Sequence, residues 1–276
     1  GNIDVKNIKN VTIAGQTDPG PVYIMGGVTK ANGENSIIRN VTIAPGYGLR
    51  NFARPEDGIL PTPGTFPDRY VYDAIDITGQ NIMIDHVSML YATDETVSAN
   101  ELAANITIQY SNISQGQNYP QADAEASGVT YTGHALGSLF QMGSNASLSV
   151  HHNLYAHQKG RLPRVGSEVG SGAYNDFRNN VFYNWLGTAG SGASGQPSFN
   201  NFESNFYLAG PGGDNPVGGS STAITHAAGG TGIFSGNNAS GTRIYHSGNL
   251  RDINKDGDAD DGLPLNNSNF GSASFQ

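Results

Sequence analysis

Three of the chain's 14 lysines and arginines, Lys159, Arg161 and Arg164, fall within six residues of one another in a protein of net charge −9. Pro163, between the two arginines, fixes one φ and restricts Leu162 to extended geometry, so the cations ride on a stiff segment. Such a cluster binds anions, although by itself it is equally the pattern of a solvated basic loop. The acids suggest what could work beside it. Asp73 opens the strand-like run Asp73-Ala-Ile-Asp-Ile, and Asp94 and Glu95 follow within Tyr91-Ala-Thr-Asp-Glu-Thr-Val-Ser98. In register on neighbouring strands, Asp73 and Asp94 would stand about 4.8 Å apart. Carboxylates that close repel unless a cation lies between them. Hard oxygen ligands without thiols favour Ca²⁺ over zinc. The plain alternative is a set of surface acids in separate places.

A second acidic run, Asp252-Ile-Asn-Lys-Asp-Gly-Asp-Ala-Asp260, matches the opening D-x-N-x-D-G of a calcium loop, with Gly257 at the turn position. Its expected ligands are Asp252, Asn254, Asp256, Asp258 and Asp260. Leu263 stands where the bidentate Glu would be, and no EF-hand helices flank the run, so a structural Ca²⁺ site is expected against an acidic surface loop. Histidines gather at His134, His151, His152 and His157 and could act as acids or bases. On one strand His151 and His152 would point to opposite faces. Asp85-His86 resembles a dyad without a nucleophile and reads as packing. No G-x-S-x-G elbow, phosphate loop or dinucleotide fingerprint occurs.

These residues need a scaffold. Charged residues make up 13% of 276, Gly numbers 38, and 37% of residues are hydrophobic. That balance suits a turn-rich β protein and excludes a disordered chain. The absence of cysteine excludes disulfides, thiolate zinc and a thiol nucleophile. No apolar run reaches the length of a membrane span, and the acidic charge argues against nucleic acid as partner. The seven N-x-S/T sequons are also what turns and strands of this kind require. The sequence opens directly in strand-like residues, so a leader removed earlier or a trimmed chain is expected.

Repetition identifies the scaffold. Asn-x-Thr-Ile recurs at Asn10, Asn40 and Asn105, and a second theme places Asn112, Asn153, Asn180, Asn205 and Asn249 before an apolar residue. Uninterrupted spacings are 27 and 25 residues, and the longer ones, 41 and 44, read as a coil plus an insertion. Coils of this length cannot form a core alone but bury one on stacking. Asn at one position per coil predicts an internal amide ladder. The expected architecture is all-β: a single-stranded right-handed parallel β-helix, one domain over 1–276, irregular from about residue 251. Gly- and Pro-rich insertions at 47–69, 114–133 and 208–232 would wall one face, where binding is usually built.

In order and spacing, Thr12-Ile-Ala-Gly-Gln-Thr17, Asp73-Ala-Ile, Ile84-Asp-His86, the Asp94 segment, His151-His-Asn153, Arg161-Leu-Pro-Arg164 and Asn179-Asn-Val-Phe-Tyr-Asn-Trp185 resemble the pectate lyases of the secreted parallel β-helix polysaccharide lyase family. The resemblance covers roughly two-thirds of the chain. It implies that Arg161 is the base, that Asp73 and Asp94 are calcium acids, and that the substrate is polygalacturonate. It also implies an extracellular location. Ser98, Leu136 and Gly166 stand where the family has a third calcium acid, a substrate-binding Lys and a further Arg. Glu95, for the metal, and His134, His157, Lys159 and Arg164, for the substrate, are candidate substitutes. The expected function is Ca²⁺-dependent β-elimination by a monomer, with no nucleic-acid or membrane partner. The rivals are a calcium-independent pectin lyase, a glycoside hydrolase using a carboxylate pair, and a non-catalytic glycan-binding β-helix.

Overall fold

Strands of three to seven residues, apolar at alternate positions, have one face to bury and too little length to bury it alone. In Ala104–Gln109 the side chains of Ile106 and Ile108 are buried while Asn105 is exposed. The computed structural model describes residues 3–4, 9–45, 73–116, 134–166, 172–192, 197–210, 230–236, 241–256, 259–271 and 274–275. Within these, strands stack, in parallel but for one terminal pair, into three sheets of eight, nine and nine strands, successive coils giving one strand to each sheet in turn. Parallel crossovers of this kind take the right-handed sense. The expected parallel β-helix is the observed fold. The three inserted segments fall mainly outside the described residues.

The first sheet runs through Thr29–Ala31, Ile75–Ile77, Glu95–Glu101, Leu136–Met142, Arg164–Val165 and Thr188–Gly192. Inside, like stacks on like. In the second sheet Ile38, Ile84, Ile108, Val150, Phe177 and Phe202 share one register column. In the third, Ile43, Met89, Ile113, Tyr155, Phe182 and Tyr207 do the same. Aromatic steps in these columns are 4.8 Å for Phe177–Phe202 and 4.7 Å for Phe182–Tyr207, the strand spacing itself.

Sharp corners explain the Asn content. Between the second and third sheets seven coils turn on one residue of positive φ: Asn40, His86, Tyr110, His152, Asn179, Ser204 and Gly248, at 47° to 63°. Asn tolerates this left-handed region better than most side chains. The next residue inward carries the buried ladder. Asn153 Nδ2 donates to Asn180 Oδ1 at 3.1 Å, Asn180 to Asn205 at 3.0 Å, and Asn205 to Asn249 at 2.9 Å. Each Oδ1 also accepts the backbone N–H of the coil before.

Several expectations need correction. Asn112 is not in the ladder: it pairs with Leu154, and Ser111 occupies the ladder position, its N–H donating to Asn153 Oδ1 at 2.9 Å. Nor does Asn-x-Thr-Ile mark a single place. Asn10 and Asn105 belong to an outer ladder with Asn35 and Asn81 at one edge of the second sheet, while Asn40 sits at the opposite corner. His151 and His152 do not alternate. The strand ends at His151, and positive φ at His152 brings the two Nδ1 atoms to 2.9 Å on the outside.

The chain after residue 251 is not simply irregular. Leu250–Asp252 continues the third sheet, and Leu263–Pro264 pairs back on it antiparallel. A 3-10 turn, Asn267–Phe270, capped by the Asn266 side chain, then buries Phe270 against His246, Phe202 and Phe234. The reason is physical: an open coil end exposes a stack of apolar rings, and one aromatic plug covers it.

Candidate active site

The residues with chemistry meet at one edge of the first sheet. Asp73 stands two residues before the Ile75–Ile77 strand, and Asp94 immediately precedes the neighbouring strand Glu95–Glu101, which Glu95 begins. Stacking of the two coils brings carboxylate oxygens of Asp73, Asp94 and Glu95 within 4.8 Å of one another. Among the described residues this is the one such grouping. Two coils further on, Arg161 reaches back and pairs its Nη1 with Glu95 Oε1.

Arg161 is placed by its backbone. Its φ is 58°, its carbonyl accepts the Ser138 N–H at 2.6 Å, and the following Leu162 N–H donates to Ala189 at 2.8 Å. The Leu162–Pro163 peptide is cis, and Leu162 is fully buried. The approach is close enough that a Cβ at Gly137 would lie 2.5 Å from the Arg161 carbonyl oxygen and 2.6 Å from Gln158 Oε1. Under the site, buried Gln158 donates to Thr96 Oγ1 at 2.7 Å, and Thr96 donates to the Leu136 carbonyl at 3.1 Å. This buried chain ties the strand carrying Glu95 to the coils above it.

Burial first, and then the charges of Asp94 and Asp76, push the Asp73 carboxyl up to about 8, against a hydrogen bond from Ser98 and the charge of Arg161. The Ser98 hydroxyl therefore sits where the family resemblance led one to expect an acid, and it serves Asp73. His134 Nδ1 bonds Asp94 Oδ1, which raises the imidazole above its usual range although burial and Lys159 oppose this. Loss of solvent lowers the Lys159 ammonium. Lys159 and His134 are thus in electrostatic reach of the acids. Arg164 is half-buried on the strand Arg164–Val165, between Leu139 and Ser191. His157, on the third sheet, meets Asn184 Nδ2 at 2.8 Å and the Tyr183 ring.

Two participants escaped the sequence reading. Asp76 adds charge to Asp73 and accepts from Asn100 at 3.0 Å. Asp261, next to the predicted loop acids, joins them: Asn254 Nδ2 donates to Asp256 at 2.7 Å and to Asp261 at 2.8 Å. Asp252 and Asp260 lie in the same turn, and Asp258 lies outside the described residues. Its place directly after Asp260, at the end of the acidic run, was the available signal for Asp261. Asp76, outward on its strand, carried none.

Carboxylates converging without thiols or paired imidazoles form a set of hard oxygen donors, and one of them stays protonated until its neighbours' charge is offset. That fits calcium. Asp73, Asp94 and Glu95 are the residues that could hold it.

Fold and site define a parallel β-helix protein with a cluster of acids and an arginine at the strand starts of its first sheet. Its relatives are pectate lyases by name. The chain is 33% identical over 269 residues to the probable pectate lyase C of Neosartorya fischeri, covering 95% of this chain and 50% of that protein. It is 32% identical over 280 residues to the probable pectate lyase C of Aspergillus terreus, covering 92% and 56%. The chain thus spans about half the length of the curated relatives it matches. A pectate lyase structure from Paenibacillus sp. 0602 superposes with a TM-score of 0.55 at 14% identity, over 92% of this chain and 64% of that one, which supports the fold. No family model matches the sequence. The family that the motifs resemble is the one for which the relatives are named.

Proposed function

We propose that the protein cleaves polygalacturonate by calcium-dependent β-elimination, with Arg161 as the base. The observation that carries the reading is the placement of an arginine against a cluster of three carboxylates, in a chain whose relatives are named pectate lyases. A binder would gain nothing from a cation held on its own acids, and a hydrolase would need those carboxylates free as acid and base. The acid cluster also speaks against a calcium-independent pectin lyase.

The difficult step is removal of the proton at C5, next to a carboxylate whose charge opposes a carbanion. A calcium ion held by Asp73, Asp94 and Glu95 would supply charge withdrawal from the substrate carboxylate. Glu95 keeps the Arg161 guanidinium charged while the two are paired, so the base works only once Glu95 is engaged elsewhere. With Glu95 engaged, the charges of Lys159 and Arg164, near Arg161 in the sequence, would favour its neutral form. Arg161 takes the C5 proton, the C5–H electrons form the C4–C5 double bond, and the C4–O bond breaks. Lys159 and His134 would hold the flanking uronates. A polymeric substrate of plant walls implies that the enzyme acts outside the cell.

The test is ultraviolet absorbance of the unsaturated product on polygalacturonate, with and without chelator. Unsaturated product that disappears on chelation is the expected result. Reducing ends without absorbance would mean hydrolysis, and absorbance indifferent to chelator would mean a calcium-independent lyase.

A further inference from the structure

A hollow of about 470 Å³, within the range of small-ligand sites, lies on the outer face of the second sheet, away from the acids and Arg161. Its floor carries Thr107, Ser149, Asp176 and Asn201, outward residues of four successive strands, and its rim carries Ser147 and Tyr174. At this rim the outer amide ladder stops. The Ser147 hydroxyl donates to Asn105 Oδ1 at 2.8 Å, and from the next coil onward rings take over the column. Tyr174 stacks on Phe199 with centroids 5.0 Å apart and planes inclined by 18°, and the Arg243 guanidinium lies over the Phe199 ring at 5.3 Å.

Stacking along the coils uses one face of Tyr174 and leaves the other turned towards the small Ser147. Among the described residues no ring or cation lies on that face, and Tyr174 is 55% exposed. An open aromatic face at the end of a polar hollow is a surface for another flat apolar face. The floor says which kind. Its hydroxyls and amide both donate and accept, and Asp176 is the one charged residue of the described lining. Arg178 Nε donates to both Asp176 oxygens, at 2.8 and 2.7 Å, so the carboxylate is held in place and keeps lone pairs for further donors. A fixed carboxylate accepts from two neighbouring hydroxyls of a sugar and repels a uronate. We propose that this hollow is a second glycan-binding site, one that takes a neutral pyranose chain, with a sugar ring on the open Tyr174 face and its vicinal hydroxyls on Asp176. A β-linked glucan of the cellulose type suits it best, because equatorial hydroxyls leave both ring faces flat and lined by C–H groups. The site goes beyond the lyase reading and does not depend on it. It moors the protein to a neutral polymer on a face that the acid cluster does not use.

The experiment titrates cellohexaose into the intact protein in the presence of chelator and follows the heat, with a galacturonate hexamer as the charged comparison. The parent is expected to bind cellohexaose, and Tyr174→Ala to bind it at least about tenfold more weakly, the worth of one stacked ring. Tyr174→Phe keeps the ring face and should bind like the parent. Asp176→Asn removes the charged acceptor and should weaken binding by about tenfold as well. No binding of cellohexaose by the parent, or undiminished binding by Tyr174→Ala or by Asp176→Asn, would overturn the proposal. So would a defect in Tyr174→Phe as large as that in Tyr174→Ala, since the stacking face is still there. A galacturonate hexamer that binds more tightly than cellohexaose, and loses that binding in Tyr174→Ala, would give the hollow to a polyanion and overturn the neutral-sugar assignment.

Discussion

Arg161 and Glu95, on different coils, form an ion pair in which the carboxylate is nearly buried and the guanidinium is 28% exposed. Glu95 also lies within 4.8 Å of Asp73 and Asp94. One carboxylate therefore faces two kinds of neighbour: the acids Asp73 and Asp94 on one side and the arginine on the other.

Glu95→Gln separates these roles. The amide is a weaker metal ligand and leaves Arg161 without its charged partner. Half-saturating calcium for lyase activity should rise about tenfold or more, on the scale of one lost charge-assisted contact. The calcium dependence of initial rates measures this. An unchanged requirement would remove Glu95 from the metal set.

The ladder makes a stability prediction. Asn180 accepts from the Asn153 backbone and side chain and donates to Val150 and Asn205. Asn180→Ala strands buried groups on both neighbouring coils, at about 1–3 kcal/mol for each group left unmatched. Denaturant unfolding should show a loss of at least about 2 kcal/mol. A loss below about 0.5 kcal/mol would mean that water or neighbours replace the ladder.

Asp85 gives a pH dependence remote from the cleft. Burial raises its carboxyl, but hydrogen bonds from Gln109 and His86 and the charges of His86 and Arg39 outweigh that and hold it below the ordinary value. Arg39 lies 2.9 Å away. For a depressed carboxyl, the stabilisation is complete above the unfolded value of 3.8 and is lost as pH falls through the folded one. Asp85→Asn should therefore lower the unfolding midpoint at neutral pH, and the gap from the parent should close below pH about 4. A gap independent of pH would assign Asp85 to packing alone.

The scaffold was legible because its physics is repetitive. One coil per 25 to 27 residues and an Asn before each apolar triplet lead directly to a stacked core with an amide ladder. Legibility failed where one letter served two geometries. Asn112 looks like its counterparts, yet Ser111 fills the ladder, because a hydroxyl can accept the Val87 N–H as an amide oxygen would. Asp73, Asp94 and Arg161 could be named from their motifs. The pairing of Arg161 with Glu95 could not, since it depends on how far one coil is set against the next. The aromatic plug at Phe270 carried no period at all, because it terminates the repeat.

The most direct test of the account is the turnover of Arg161→Lys on polygalacturonate under saturating calcium. Lysine keeps the charge and much of the reach but loses the planar guanidinium. If Arg161 removes the C5 proton, kcat should fall by about 10²–10⁴, the usual worth of a positioned proton-transfer group, with KM little changed. If Arg161 only attracts the polyanion, lysine should preserve most of the rate, and the damage in Arg161→Ala should appear in KM. Near-normal turnover by Arg161→Lys would contradict the base assignment.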